Sequence, residues 1–187
     1  MFVYTKTPTI VVIDGVLSPE ECNDIIEYSE DKLERSKVAK KGGGDAEDVD
    51  RTSSGLFVRH EEFPELCKRL SEIANLPLTN AESLNVLKYQ EGQEYKPHRD
   101  AFDEDHHKIN GGQRVLTCIV YLNNASGGGT AFPALNMIVG SIAGRLLMFE
   151  NVDGDLNPHE LSLHQGLPPH EGEKWVTTLW FRESKVS

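Results

Sequence analysis

The chain has 187 residues, a formal net charge of −11 and a pI near 5.1. This length suffices for one domain with its own hydrophobic core, so no metal ion is needed to hold the fold together. The acidic balance argues against nucleic acid and anionic membranes as partners, because both attract basic surfaces. We therefore expect a single domain over residues 1–187 that binds neither.

The three cysteines predict free thiols. Cys22, Cys67 and Cys118 are odd in number and widely spaced, and they form no C-x-x-C pair, which favours buried thiols in a reducing compartment. No apolar run is long enough to span a membrane. The first 15 residues read as a strand, since they lack the apolar core and cleavage site of a signal peptide. We expect a cytoplasmic protein, with monomer and homodimer both open.

The first half of the chain predicts one strand and two helices. Residues 9–13 are a β-branched strand, and Ser18 with Glu21 predicts a capping box at the start of the first helix. The apolar spacing over residues 63–74 predicts a second amphipathic helix that ends before Pro77. Between the helices, glycines and charges predict a mobile loop. We extend it to a substrate lid over residues 36–58, with a plain surface linker as the alternative.

The second half of the chain predicts short strands. Apolar and β-branched runs lie at residues 84–89, 115–122, 130–132, 137–139, 146–149 and 175–181. Glycine-containing turns separate them, including one at residues 127–129. Two helices followed by many short strands predict an α+β, mainly β fold: a double-sheet barrel or jelly roll with the helices on one outer face.

The motif His98-Arg99-Asp100 suggests a metal site. Residues i and i+2 of an extended segment point to the same side, so His98 and Asp100 can bind one ion together. For a second histidine we choose His164, in an apolar strand-like stretch, over His159, in a predicted turn, because rigid elements hold ligands better. Two imidazoles and one carboxylate leave open coordination positions and suit a non-heme Fe(II) oxygenase.

Another interpretation of His-Arg-Asp is the catalytic loop of a protein kinase. The chain excludes it, because no asparagine lies five residues after Asp100 and no Asp-Phe-Gly follows.

Lys174 has two interpretations. At the start of the last predicted strand it is either a surface cation or a buried ammonium that pairs with an anionic co-substrate. The hydroxyls of Tyr89 and Thr117 could bind the same group, or they could be ordinary strand residues.

Several blocks together resemble the catalytic domain of prolyl 4-hydroxylases, members of the Fe(II)/2-oxoglutarate dioxygenase superfamily. They occur in the family's order at residues 51–55, 87–100, 112–114, 121–123, 132–133, 163–166 and 172–175. The resemblance covers about residues 9–182. The chain departs from the usual pattern at Gly129, where glutamate is common, and at Leu167, where cysteine is common. These departures concern the subfamily and not the metal-binding motif.

The resemblance implies a double-stranded β-helix (jelly-roll) core with N-terminal helices packed on one sheet. It implies catalytic metal ligands for Fe(II) at His98, Asp100 and His164. It also implies that 2-oxoglutarate binds to Lys174, Tyr89 and Thr117. The peptide would contact Tyr95, Arg114 and Trp180, and residues 36–58 would close over it.

The activity implied by the resemblance is hydroxylation of a peptidyl proline with Fe(II), O2 and 2-oxoglutarate, releasing succinate and CO2. The partner would be a proline-containing peptide or protein, and ascorbate is a candidate further requirement. Three alternatives stay open: the same chemistry on lysine or another amino acid, a zinc hydrolase, and a non-catalytic jelly-roll binding module. The zinc hydrolase leaves Lys174 without a role, and the chain has no H-E-x-x-H motif.

Overall fold

A computed structural model describes residues 2–39, 45–47, 50–102 and 110–186. The two helices are α1 (Pro19–Ser29) and α2 (Pro64–Ala74). The strands, in chain order, are β1 (Phe2–Lys6), β2 (Thr9–Ile13), β3 (Glu34–Arg35), β4 (Lys37–Ala39), β5 (Asp45–Glu47), β6 (Ser54–Val58), β7 (Leu84–Gln90), β8 (Tyr95–His98), β9 (Arg114–Tyr121), β10 (Ala125–Phe132), β11 (Met137–Ser141), β12 (Leu146–Glu150), β13 (His164–Gly166) and β14 (Glu173–Arg182).

The strands form two main antiparallel sheets and a small hairpin. The large sheet has the order β1-β2-β12-β9-β14-β7-β6-β3, and the small sheet has the order β11-β10-β13-β8. Strands β4 and β5 pair only with each other. Most neighbours in each sheet, such as β2 with β12 and β13 with β8, are distant in the chain, as the crossing connections of a jelly roll require.

Two hydrophobic clusters lie on opposite faces of the large sheet. The alternation of side chains along β9 divides them, because Ile119 and Tyr121 face the small sheet while Cys118 and Val120 face the helices. The cluster between the sheets includes Phe132 of β10 and Phe149 of β12, whose rings meet edge to face. The second cluster takes residues from both helices. The predicted mainly β fold with helices on one outer face is confirmed.

The start of α1 and the end of α2 follow the local sequence. The Ser18 hydroxyl accepts a hydrogen bond from the backbone N–H of Glu21, and the Glu21 carboxylate accepts one from the N–H of Ser18, so the predicted capping box is present. Helix α2 ends at Asn75 in the left-handed conformation, which asparagine tolerates better than most residues do.

The glycines at residues 127–129 are not a turn between strands, as the sequence suggested. They lie inside β10, where the register with β11 shifts between Ala125 and Thr130. Gly127 has φ of +77°, and a Cβ at Gly129 would lie 2.5 Å from the carbonyl oxygen of Val139. A β-bulge and a close strand contact therefore require these glycines.

The predicted lid divides into parts with different structures. Its last residues, Ser54–Val58, form β6 and pair with β7 in the large sheet. Residues 50–52 run along β8, where the N–H of Thr52 donates to the carbonyl of Glu94. Residues 40–44 and 48–49 lie outside the described residues. Closure of residues 36–58 over a substrate stays a prediction.

All three cysteines are free and buried, one each in α1, α2 and β9. Within the described residues, neither helix is long and apolar enough to cross a lipid bilayer.

Candidate active site

Antiparallel pairing brings the two predicted histidine ligands together. His98 ends β8 and His164 begins β13, and they are directly opposite each other in the small sheet. Their ring centroids are 4.3 Å apart. Asp100 follows the end of β8 by two residues, and one ligand atom each of His98, Asp100 and His164 lies within 4.8 Å of the others. His159, the rejected alternative, instead accepts a hydrogen bond from the N–H of Leu161.

Backbone carbonyls fix the tautomer of both histidines. Nδ1 of His98 is 2.8 Å from the carbonyl oxygen of Lys96, and Nδ1 of His164 is 2.9 Å from that of Ser162. A carbonyl oxygen can only accept, so each Nδ1 carries a hydrogen, and in the neutral imidazole Nε2 keeps the lone pair that binds a metal. Nε2 of His98 lies 3.5 Å from Oδ1 of Asp100, so this nitrogen faces the carboxylate.

The charge states of these groups suit metal binding. Burial lowers the pKa of His164 to about 4, and the neighbouring His98 contributes to the same shift, so His164 is neutral at physiological pH. Burial alone would raise the pKa of Asp100, but the facing histidines hold it well below its usual range. The site therefore offers a neutral His164 imidazole and an ionised carboxylate beside His98, a set of side chains that fits a ferrous ion.

Oδ2 of Asp100 accepts two hydrogen bonds from the large sheet. The Thr117 hydroxyl donates from 2.7 Å and the Trp180 indole N–H from 2.9 Å. These bonds leave Oδ1 as the carboxylate oxygen without a hydrogen bond from either residue. Thr117 therefore lies against Asp100, a candidate metal ligand. Its predicted contact with the co-substrate stays a prediction.

Lys174 is a buried cation, and only 2% of its surface is exposed. Its ammonium donates to the carbonyls of Gly129, at 3.2 Å, and Leu167, at 3.3 Å. No carboxylate of the described residues forms an ion pair with it, and burial lowers its pKa to about 7. A buried ammonium beside neutral oxygens is costly unless an anion binds there. Lys174 therefore fits an anionic group such as the distal carboxylate of 2-oxoglutarate.

Tyr89 lies beside Lys174, on the neighbouring strand. The two residues are direct partners in the β7–β14 ladder, and the ammonium is 4.7 Å from the centroid of the phenol ring. A Cβ built on Gly166 would lie 3.5 Å from the Tyr89 hydroxyl and 3.7 Å from Nζ of Lys174. The hydroxyl and the ammonium therefore converge on one point, where a single carboxylate could contact both.

Of the three residues predicted to contact the peptide, two line the cavity and the third is engaged in an ion pair. The Tyr95 ring stacks on His98, with centroids 3.5 Å apart, and it lines the cavity together with Trp180. Arg114 packs over the Trp180 ring at 4.1 Å, and its Nε and a terminal nitrogen pair with the carboxylate of Glu82 at 2.6 and 2.7 Å. Arg114 therefore already has an anionic partner.

Glu82 is expected to be a stability determinant, because it joins two arginines of the large sheet. Besides Arg114 it accepts a bond from Arg182, whose side chain is only 9% exposed. Glu82→Gln should lower the free energy of unfolding by about 3 kcal/mol, since it leaves the buried Arg182 and the half-buried Arg114 with a neutral partner. Urea unfolding measures the loss. Glu21→Gln is the control, because its pair with Arg69 is more exposed and should be worth about 1 kcal/mol or less. Equal losses would contradict the role of Glu82.

The cavity reaches residues that the sequence interpretation did not assign to the site. It is lined by residues of both sheets, among them His98, His164 and Lys174, and by Asp100. The buried Arg51 lines it, with its guanidinium 5.0 Å from the centroid of the Tyr95 ring. Arg51 begins one of the blocks that carry the family resemblance, but no spacing rule marked it as a cavity residue.

Comparisons with known proteins agree with this site. Residues 84–182 match the family profile described as the 2OG-Fe(II) oxygenase superfamily. Prolyl 4-hydroxylase 5 of Arabidopsis thaliana is 36% identical over 198 residues, covering 93% of this chain and 68% of that protein. A putative prolyl 4-hydroxylase of Acanthamoeba polyphaga mimivirus is 33% identical over 189 residues, covering 94% of this chain and 75% of its own.

A solved structure shows the same architecture. The viral collagen prolyl hydroxylase of Paramecium Bursaria Chlorella virus-1, in complex with 2OG, superposes with a TM-score of 0.73 at 27% identity. The match covers 92% of this chain and 94% of that one. The protein therefore belongs to the 2OG-Fe(II) oxygenase superfamily, whose members use Fe(II), 2-oxoglutarate and O2. Within that superfamily it is a prolyl 4-hydroxylase-like dioxygenase.

Proposed function

We propose that the protein hydroxylates C4 of a proline within a peptide or protein, with Fe(II), O2 and 2-oxoglutarate, and releases succinate and CO2. One observation carries the proposal most directly. A two-histidine, one-carboxylate cluster and a buried ammonium without a carboxylate partner among the described residues line the same cavity. The curated relatives that match this chain are named prolyl 4-hydroxylases, which favours proline over other amino acids.

The residues take the following roles. His98, Asp100 and His164 hold Fe(II), and the metal with its co-substrate supplies the activation of O2 that no side chain can perform. Lys174 and Tyr89 bind the distal carboxylate of 2-oxoglutarate and so set its orientation in the cavity. Burial of Asp100 and His164, 7% and 3% exposed, keeps bulk water away from the reacting groups.

The peptide lies on the Tyr95 and Trp180 side of the cavity. Tyr95 covers one face of His98, and Trp180 is fixed by its bond to Asp100. Flat aromatic surfaces next to the metal ligands suit the apolar ring of proline. The Arg51 guanidinium, 5.0 Å from the centroid of the Tyr95 ring, would donate a hydrogen bond to a carbonyl oxygen of the peptide.

Peptide profiling tests the substrate. We expect proline-rich peptides to gain one oxygen atom on proline, measured by mass spectrometry, with one succinate formed for each hydroxylated residue. Matched peptides with each proline replaced by alanine are the control and should gain none. Oxygen incorporation into lysine-containing peptides alone would replace proline by lysine in the proposal. Failure to bind Fe(II) and 2-oxoglutarate together would favour a non-catalytic module.

A further inference from the structure

The second contact of the Thr117 hydroxyl is with Asn151, a fully buried residue just after β12. Oγ1 of Thr117 lies 2.9 Å from Nδ2 of Asn151 and 3.2 Å from its Oδ1. Both side chains are 0% exposed, so water cannot replace either contact. Three polar groups therefore meet at one hydroxyl: the metal-binding carboxylate and both ends of an amide.

Hydrogen counting fixes the direction of each bond. A threonine hydroxyl has one hydrogen, and a carboxylate can only accept. Because the 2.7 Å contact with Asp100 takes that hydrogen, the hydroxyl oxygen must accept from Nδ2 of Asn151. The amide thus holds the hydroxyl in the rotation that points at Oδ2 of Asp100. The bond to an ionised group is also the stronger of the two.

Asn151 is itself held by backbone bonds on both sides. Its N–H donates to the carbonyl of Val115, and its carbonyl accepts from the N–H of His159, both at 2.9 Å. The Ser162 hydroxyl donates its one hydrogen to the carbonyl of His159 at 2.7 Å, and the Ser162 carbonyl accepts the Nδ1 hydrogen of His164, so the connection runs through His159 and Ser162. Asn151 therefore connects the support of Asp100 with the support of His164.

We propose that Thr117 is a positioning residue for the metal ligand Asp100, set by Asn151, and not a contact of the co-substrate. The Thr117 hydroxyl and the Trp180 indole hold Oδ2, so that Oδ1 stays turned toward Nε2 of His98 while Oδ2 lies 3.8 Å from Nε2 of His164. This inference rests on the proposed function in one respect, namely that the cluster binds a divalent metal. Outer partners of this kind orient ligands and usually change metal affinity by about 10- to 100-fold.

The test measures metal affinity separately from co-substrate affinity. Thr117→Val removes the hydroxyl and keeps the branched shape, while Thr117→Ser keeps the hydroxyl. Anaerobic titration with Co(II), without 2-oxoglutarate, gives the metal dissociation constant. We expect Thr117→Val to raise that constant about 10- to 100-fold and Thr117→Ser to restore it. At saturating metal, the KM for 2-oxoglutarate should not change.

Thr177→Val is the matched control. Thr177 is also fully buried in a strand of the large sheet, but its hydroxyl has no hydrogen-bond partner within the described part of the chain. This variant should bind Co(II) like the unmodified protein. Thermal melting of the metal-free variants shows whether each one folds.

A double variant tests the contribution of Asn151. Asn151→Leu should weaken Co(II) binding in the same direction but less, since the hydroxyl loses only its orientation. Adding Asn151→Leu to Thr117→Val should weaken Co(II) binding no further, because the amide acts through the hydroxyl. Additive effects would overturn that connection. Should Asn151→Leu not fold, the comparison of Thr117→Val with Thr117→Ser still decides the role of Thr117.

Two results with Thr117→Val would overturn the positioning role. A third result would distinguish that role from the proposed hydroxylase function. Unchanged Co(II) affinity in Thr117→Val contradicts positioning. A raised KM for 2-oxoglutarate with unchanged metal affinity makes Thr117 a co-substrate contact instead. If Co(II) affinity responds as expected but no peptide is hydroxylated, the positioning role stands and the proposed function fails.

Discussion

Replacement of His164 by alanine is expected to abolish 2-oxoglutarate turnover. His164 would supply one of three protein ligands, so its loss should cost more than the 10- to 100-fold that is typical of outer partners. Burial and the bond from its Nδ1 to Ser162 leave Nε2 directed at the carboxylate of Asp100, at 3.8 Å. Succinate formation with saturating Fe(II) measures the effect.

His159→Ala is the natural control for this prediction. His159 lies five positions earlier in the chain, and its imidazole accepts a bond from the N–H of Leu161, at the start of a single helical turn. Its alanine variant should keep most of the turnover. Wild-type turnover in His164→Ala, or its loss only in His159→Ala, would show that the wrong histidine had been assigned to the metal.

Lys174→Ala is expected to raise the KM for 2-oxoglutarate about 10- to 150-fold. The estimate corresponds to the roughly 1.5–3 kcal/mol of a hydrogen bond to a charged group. Lys88→Ala is the control, because Lys88 lies on β7 but pairs with Glu173 and Glu30 at the surface. Initial rates at varied 2-oxoglutarate concentrations give the KM of each variant. Equal KM values in the two variants would contradict the assignment of Lys174.

The same lysine predicts a pH dependence. Burial lowers the pKa of Lys174 to about 7, so its charged form is lost as the pH rises through that value. A dianionic co-substrate favours the charged form, and its affinity should therefore fall above this pH. We expect the KM for 2-oxoglutarate to rise with pH in the unmodified protein and to stay flat in Lys174→Ala. A parallel rise in both would place the titrating group elsewhere.

Much of the architecture could be predicted because apolar residues recur at clear helical and strand spacings. The capping box of α1 and the alternation along β9 are local signals, and the structure retains them. The glycines of β10 were misread because a sequence does not distinguish a turn from a bulge. In both cases glycine accepts a positive φ or a close backbone contact. Only the pairing with β11 decides between them.

In the candidate site, too, contacts between residues near in the chain could be predicted, and contacts between distant strands could not. His98 and Asp100 are near each other in the chain, so their proximity follows from spacing. The contacts between Thr117 and Asp100, and between Asn151 and Thr117, join residues 17 and 34 positions apart. They depend on the register between β9 and β12 and on the end of β8. No local pattern encodes such contacts, and the same is true of Glu82 between Arg114 and Arg182.

The burial of the three thiols has a consequence for an enzyme that consumes oxygen. Desolvation raises the pKa of Cys67 to about 11 and that of Cys118 to about 12, and it also raises the pKa of Cys22. Oxidants attack the thiolate, which is scarce at neutral pH in all three positions. Sulfenic acids and intermolecular crosslinks should therefore not accumulate at these thiols while the fold is intact.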